Sequence, residues 1–177
     1  IRIEVKTSIP GNVKIQIHDG EQIVVSEEKM SEKRVSEKNS TRELEAVFLV
    51  EIPDAELWST DSPYLYTVNA TFGNDQVTEH FGVRTLHWNE REGMTINGKR
   101  VILRGACVHH DNGLLGACTF PEAEERKVRI LKENGYNAIR SSHYPCSKAL
   151  LDACDRQGML MMDEYVDVWY IHKTRYD

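Results

Sequence analysis

No apolar run in this 177-residue chain approaches the roughly 20 residues that span a bilayer, so the sequence offers no helical membrane span and reads as globular. Basic residues are in deficit. With 28 acidic against 22 basic side chains the net charge is −6, and no basic patch stands out, which argues against a phosphate-binding surface for nucleic acid. CxxC pairs are missing too: Cys107, Cys118, Cys146 and Cys154 are too widely spaced for zinc knuckles and read as four free thiols. The N-terminal IRIEVKTSIP lacks the basic-then-apolar order of a secretory leader. It also starts without Met, inside an alternating pattern, as a piece cut from a longer chain would.

What is present falls into two halves with different periodicities. In the first, Ile1, Ile3 and Val5 alternate with Arg2, Glu4 and Lys6, and Val13, Ile15 and Ile17 alternate with Lys14, Gln16 and His18. Period two is the mark of a half-buried strand. Asp19-Gly20 supplies a hairpin turn into Ile23, Val24 and Val25. Leu44, Ala46, Phe48, Val50 and Ile52 form one face of a longer strand, Tyr64, Tyr66, Val68, Ala70 and Phe72 another, and Gln76 to Val83 a last one. The charged stretch from Glu27 to Ser40 reads as a solvated loop or an edge strand, because so many charges discourage further pairing. Six or seven short strands with turn signals predict an all-β, immunoglobulin-like sandwich over residues 1–84.

After Arg84 the pattern changes. Asn97-Gly98 centres a small hairpin that leads into an expected strand, Val101 to Gly105. Pro121 opens a helix with Glu122, Glu124 and Glu125 in its first turns, where acidic groups suit the helix dipole; Val128, Ile130 and Leu131 supply its apolar stripe and Gly135 ends it. A strand over Asn137 to Arg140, a helix from Ser147 to Gln157 stopped by Gly158, and the continuous apolar strand Met159 to Met162 follow. A strand covered on both faces lacks alternation, so this order of strand, helix, strand, helix, strand predicts the opening of a parallel α/β sheet over residues 85–177.

Ligands of parallel α/β folds gather at the carboxyl ends of the strands. Polar residues stand at all three such ends here: His109, His110 and Asp111; then RSSHYP, Arg140 to Pro145; then Asp163 and Glu164. A pocket rim accounts for three such coincidences better than three solvated loops do. Plainer readings exist for each residue. His109 can be a satisfied core histidine, Arg140 an ion-pair partner of Asp163 or Glu164, His110 and Asp111 a structural loop pair, and Ser141 and Ser142 turn caps.

At these residues the chain resembles glycoside hydrolase family 2, the β-galactosidases, β-glucuronidases and β-mannosidases. The motifs that carry the likeness are LWSTDSPYLY (57–66), FGVRTL (81–86), INGKRVILRGACVHHDNGLLG (96–116), LKENGYNAIRSSHYP (131–145) and CDRQGMLMMDE (154–164). The resemblance implies an immunoglobulin-like domain followed by the first three βα units of a (β/α)8 TIM barrel, truncated. It also implies a retaining glycosidase as parent, acting on a terminal β-linked sugar. His109, Asp111, Arg140, His143, Asp163, Glu164 and Trp169 then carry over as residues lining the sugar subsite. Imidazole and guanidinium suit that work, as donors of directional hydrogen bonds to hydroxyls.

Family members that need a divalent cation carry an acidic residue and a histidine soon after the DE pair. Tyr165 to Trp169 departs from that pattern, so no required metal and no cofactor are expected. A retaining glycosidase uses two carboxyl groups about 5 Å apart. In this family they are glutamates after the fourth and seventh barrel strands, which would lie outside this chain. The expected partners are thus a carbohydrate, a β-galactoside or β-glucuronide, and the remaining barrel of the parent chain. Neither nucleic acid nor membrane is expected, and a homo-oligomer is compatible with the open barrel. HHDNGLLG and the Trp after the DE pair resemble galactosidase-type members, with a location in the bacterial cytoplasm or periplasm. The alternative of another class is a non-catalytic carbohydrate- or protein-binding module.

Overall fold

Val13, Ile15 and Ile17 point to one side of their strand and are fully buried, while the intervening Lys14 is exposed. That strand anchors the first of two units in the computed structural model, which describes residues 1–35 and 42–165. The first unit comprises Ile1–Glu56 with Leu65–Val83, the second Leu57–Tyr64 with Arg84 onward. The sequence places a boundary between 84 and 85; the short stretch Leu57–Tyr64 nevertheless groups with the later residues.

The first unit is a sandwich of two antiparallel sheets. Strands β1 (Arg2–Thr7), β4 (Glu32–Val35) and β5 (Arg42–Leu49) form one in the order β1-β5-β4. Strands β2 (Asn12–Asp19), β3 (Gln22–Met30), β6 (Tyr66–Phe72) and β7 (Asp75–Phe81) form the other in the order β3-β2-β6-β7. Val13, Ile15 and Ile17 of β2 and Ala46 and Phe48 of β5 supply the buried core, each large side chain contributing about 1.5–3 kcal/mol by leaving water. The first hairpin turn of the larger sheet sits one residue later than the sequence expectation. Asp19 pairs with Gln22, leaving Gly20-Glu21 as the turn, and Phe72 pairs with Asp75, leaving Gly73-Asn74. The charged stretch after Glu27 forms edges: β3 borders the four-stranded sheet and β4 the three-stranded one. Residues 36–40 of that stretch lie outside the described residues.

The second unit begins with a small antiparallel sheet of β8 (Leu86–Asn89), β9 (Gly93–Ile96) and β10 (Lys99–Arg100). Its hairpin turns at Asn97-Gly98, both with positive φ, as a two-residue loop requires. A parallel sheet follows in the order β11 (Gly105–Val108), β12 (Ala138–Ser141), β13 (Leu160–Asp163), with α1 (Pro121–Glu133) and α2 (Lys148–Gln157) as the connections. The fold is therefore a β-sandwich followed by the opening of a TIM barrel.

The first parallel strand starts four residues later than the sequence predicts. Val101 to Arg104 is not strand, because its backbone is held by one side chain: Asn137 donates through Nδ2 to the Ile102 carbonyl at 2.9 Å and accepts from the Arg104 amide at 2.7 Å. Val128, Ile139, Leu150, Ala153, Cys154 and Met159 form the core between sheet and helices. Two expected members differ. Ile130 is 36% exposed, off the apolar stripe, and Met162 is 60% exposed, so β13 is not covered on both faces. Glu124, in the first turn of α1 as the sequence predicts, is buried there, accepting from Lys127 Nζ at 3.0 Å and Asn112 Nδ2 at 3.1 Å.

Leu57–Tyr64 joins this unit through polar contacts to main chain. The buried Trp58 donates its indole N–H to the Asp155 carbonyl at 2.8 Å and lies 4.4 Å under the Arg84 guanidinium. Lys132 donates to the carbonyls of both Thr60 and Gly158.

Candidate functional site

Alternation along a strand decides which residues of the parallel sheet can form a site. On β12, Ile139 and Ser141 are buried on the helix side, so Arg140 between them stands on the opposite face. The register puts Cys107 of β11 and Met162 of β13 directly beside Arg140, and Cys107, Arg140 and Met162 are all exposed. Together with Leu103, Trp88 and Met94 they line a trough of about 570 Å³.

Beyond the strand ends the polar groups converge. Arg140 donates through Nε and Nη2 to Glu164 Oε1, a two-point ion pair that also holds the guanidinium pKa above its ordinary value. The other carboxylate oxygen, Oε2, accepts from the His143 main-chain N–H at 2.6 Å and lies 3.6 Å from His143 Nδ1. His143 has φ of +74°, which for a residue with a Cβ costs about 1–2 kcal/mol. The short main-chain bond to Glu164 offsets that cost, and the His143 side chain is half-exposed at 49%. The ring of His109 stands 5.9 Å from that of His143, centre to centre. His109, Arg140, His143 and Glu164 thus form one group.

The remaining sequence candidates fall elsewhere. Asp111 accepts from the Gly113 N–H at 2.9 Å, closing the short 3-10 turn Gly113–Leu115. Its neighbour His110 stacks on Tyr144 with ring centres 3.4 Å apart. Asp163 accepts from the Ser141 hydroxyl at 2.8 Å and the Cys146 N–H at 3.0 Å. The Cys146 N–H first, then Ser141, hold its carboxyl below the usual carboxylate range. Trp169 lies outside the described residues. His109 is exposed in this chain, and Arg140 pairs with Glu164 rather than Asp163.

Two residues adjoining this group escaped the sequence reading. Cys107 receives the Arg140 Nη1 at 3.7 Å; a hydrogen bond from Ser142, then Arg140, hold its thiol below the ordinary range despite some desolvation. Only the strand register makes Cys107 a neighbour of a residue 33 positions away. Ser141 is fully buried and was read as a turn cap. Among the described residues no three His, Cys, Asp or Glu side chains come together as a metal-binding cluster.

A β-sandwich leading into parallel strands with polar groups at their carboxyl ends defines a sandwich-plus-TIM-barrel protein. Residues 1–84 match the model of Glycosyl hydrolases family 2, and residues 89–171 that of Glycosyl hydrolases family 2, TIM barrel domain. The chain belongs to glycosyl hydrolase family 2. A β-galactosidase of Bacteroides ovatus is 41% identical over 82% of this chain, and a β-glucuronidase of Bacteroides fragilis 30% over 86%. A family 2 member from Bacteroides cellulosilyticus, solved by crystallography, shares the fold over 96% of this chain with a TM-score of 0.80 and 37% identity. The chain spans 18%, 22% and 24% of the length of those three proteins respectively.

Proposed function

We propose that the chain is a segment of a retaining glycosidase that removes a terminal β-linked sugar, and that His109, Arg140, His143 and Glu164 form part of its sugar subsite. The observation that carries this reading is the Arg140–Glu164–His143 group at the carboxyl ends of the parallel strands, facing away from the helices. An exposed imidazole and a guanidinium held by one carboxylate are suited to a polyhydroxylated ligand. Asp163 and Asp111 serve the loops around that group. The domain boundary proposed is that between 84 and 85, with Leu57–Tyr64 as an arm belonging to the barrel.

The catalytic carboxylates come from parts of the protein other than this chain, as does the rest of the barrel, which covers the apolar trough of Leu103, Met162 and Trp88. Left uncovered, that trough also favours self-association. A β-galactoside is the preferred substrate, supported by the 41% identity to a protein named β-galactosidase; a β-glucuronide is the second reading, supported by the β-glucuronidase relatives. Nitrophenyl β-galactoside and β-glucuronide, offered side by side to the full-length protein and to the 177-residue chain, test both points. The full-length protein is expected to prefer the galactoside and the chain alone to turn over neither. Turnover by the short chain above background overturns the assignment of the catalytic groups. Carbohydrate binding without hydrolysis by the full-length protein favours a non-catalytic module.

A further inference from the structure

Ser141 sits on the wrong face of its strand to touch a ligand, yet every polar group beside it leads to the site. It is fully buried on the helix side of β12, one position after Arg140, so its side chain and that of Arg140 project to opposite faces of the sheet. Its hydroxyl donates to Asp163 Oδ1 at 2.8 Å and accepts from the Glu164 N–H at 3.0 Å. Asp163 Oδ1 in turn accepts from the Cys146 N–H, which ties the end of β13 to the loop that follows RSSHYP. The Glu164 side chain then holds Arg140 on one oxygen and the strained His143 backbone on the other.

We propose that Ser141 is a positioning residue, whose buried hydroxyl, oriented by Asp163, holds the Glu164 main chain and through its carboxylate aligns Arg140 and His143. Each link has the required polarity. Ionised Asp163 can only accept, so it takes the Ser141 proton and leaves the serine oxygen lone pairs for the Glu164 N–H. Without the hydroxyl, that half-buried N–H and one Asp163 lone pair lose their partner together. Loss of that bond removes a restraint on the Glu164 backbone, and a displacement of about 1 Å at a catalytic constellation suffices for a large loss of rate. The inference rests on the proposed sugar subsite.

The test uses the full-length protein and the aryl β-glycoside it turns over fastest. Ser141→Ala is expected to lower kcat/KM by about tenfold, chiefly through kcat, and Ser141→Thr, which restores the hydroxyl, to recover it to within about threefold. Because Ser141 acts through Glu164, Ser141→Ala placed in a Glu164→Gln background should cost less than about twofold more. A second readout needs no activity. In protein labelled with 15N-histidine, the His143 amide proton, shifted downfield by its short bond to Glu164, should move upfield in Ser141→Ala and return in Ser141→Thr. If Ser141→Ala does not fold, Ser141→Cys, with its weaker donor and acceptor, is read in the same two ways. A folded Ser141→Ala protein with normal kinetics, an equal loss in both backgrounds, or an unmoved His143 amide overturns the inference. Unchanged kinetics in Glu164→Gln and His143→Ala instead overturn the subsite itself, which keeps the two failures apart.

Discussion

The sandwich and the barrel segment use their strands in opposite ways. In strand β2 of the sandwich one face turns toward the core and the other toward water, so Val13, Ile15 and Ile17 are inside while Asn12 and Lys14 are outside. In the barrel segment the helix-facing side of β12 carries both the apolar Ile139 and the hydroxyl of Ser141, while the other side carries Arg140. The first arrangement stores stability, and the second places polar groups on a rigid sheet where a ligand can reach them. Polarity therefore reports burial along β2 and site membership, direct or supporting, along β12.

The sharpest way to break that contrast is to exchange a core residue against a site residue. Phe48→Ala should destabilise the sandwich by about 3–5 kcal/mol, read as a fall in the denaturation midpoint. His143→Ala in the full-length enzyme should leave the midpoint near normal and lower kcat about a hundredfold, equivalent to about 2–4 kcal/mol of transition-state stabilisation. A His143→Ala protein that is destabilised but kinetically normal would return RSSHYP to the class of structural turns.

A smaller effect separates the two units through glycines of similar conformation. Gly20 and Gly158 have φ of +58° and +71°, but a Cβ on Gly20 would meet open space, whereas one on Gly158 would overlap the Thr60 carbonyl. Gly20→Ala should cost only the left-handed backbone penalty, about 1–2 kcal/mol. Gly158→Ala should cost clearly more, because the obstacle is backbone. Equal losses in thermal melts would mean that Leu57–Tyr64 yields without penalty.

A further effect is one of pH. Burial pushes the Cys154 thiol from 9.0 up to about 12. In the unfolded chain the thiol ionises near its ordinary value while the folded chain keeps its proton, so the unfolded state binds fewer protons in that window. Stability from this residue is complete below about pH 8.5, the usual thiol value, and is lost as pH rises toward the folded value. Thermal melts from pH 8 to 11 should therefore fall, and fall less steeply for Cys154→Ala, which adds its own pH-independent cavity cost. Parallel slopes would remove Cys154 from the alkaline transition.

Much of this was legible without coordinates, for identifiable reasons. Period two in β2 and β5 gave the sandwich, and Pro121, Ser147, Gly135 and Gly158 marked the helix ends: Ser147 accepts from the Leu150 N–H at 3.1 Å, and Gly158 adopts the left-handed conformation that ends α2. The first parallel strand was misplaced because Asn137 captures backbone that the sequence pattern offered to a ladder. The burial of Glu124 is not legible locally, because nothing near it in the sequence marks Asn112 as its partner.

Local chemistry thus determined the element types, their order and the polar strand ends, because periodicity and capping act over a few residues. Tertiary structure decided which polar residues meet. Cys107, Arg140 and Glu164 converge only through the parallel register of β11, β12 and β13, and Ser141 and Arg140, adjacent in sequence, are separated into support and site by the faces of a single strand. Register between strands joined by long crossovers depends on packing against helices dozens of residues away, and no short stretch of sequence contains it.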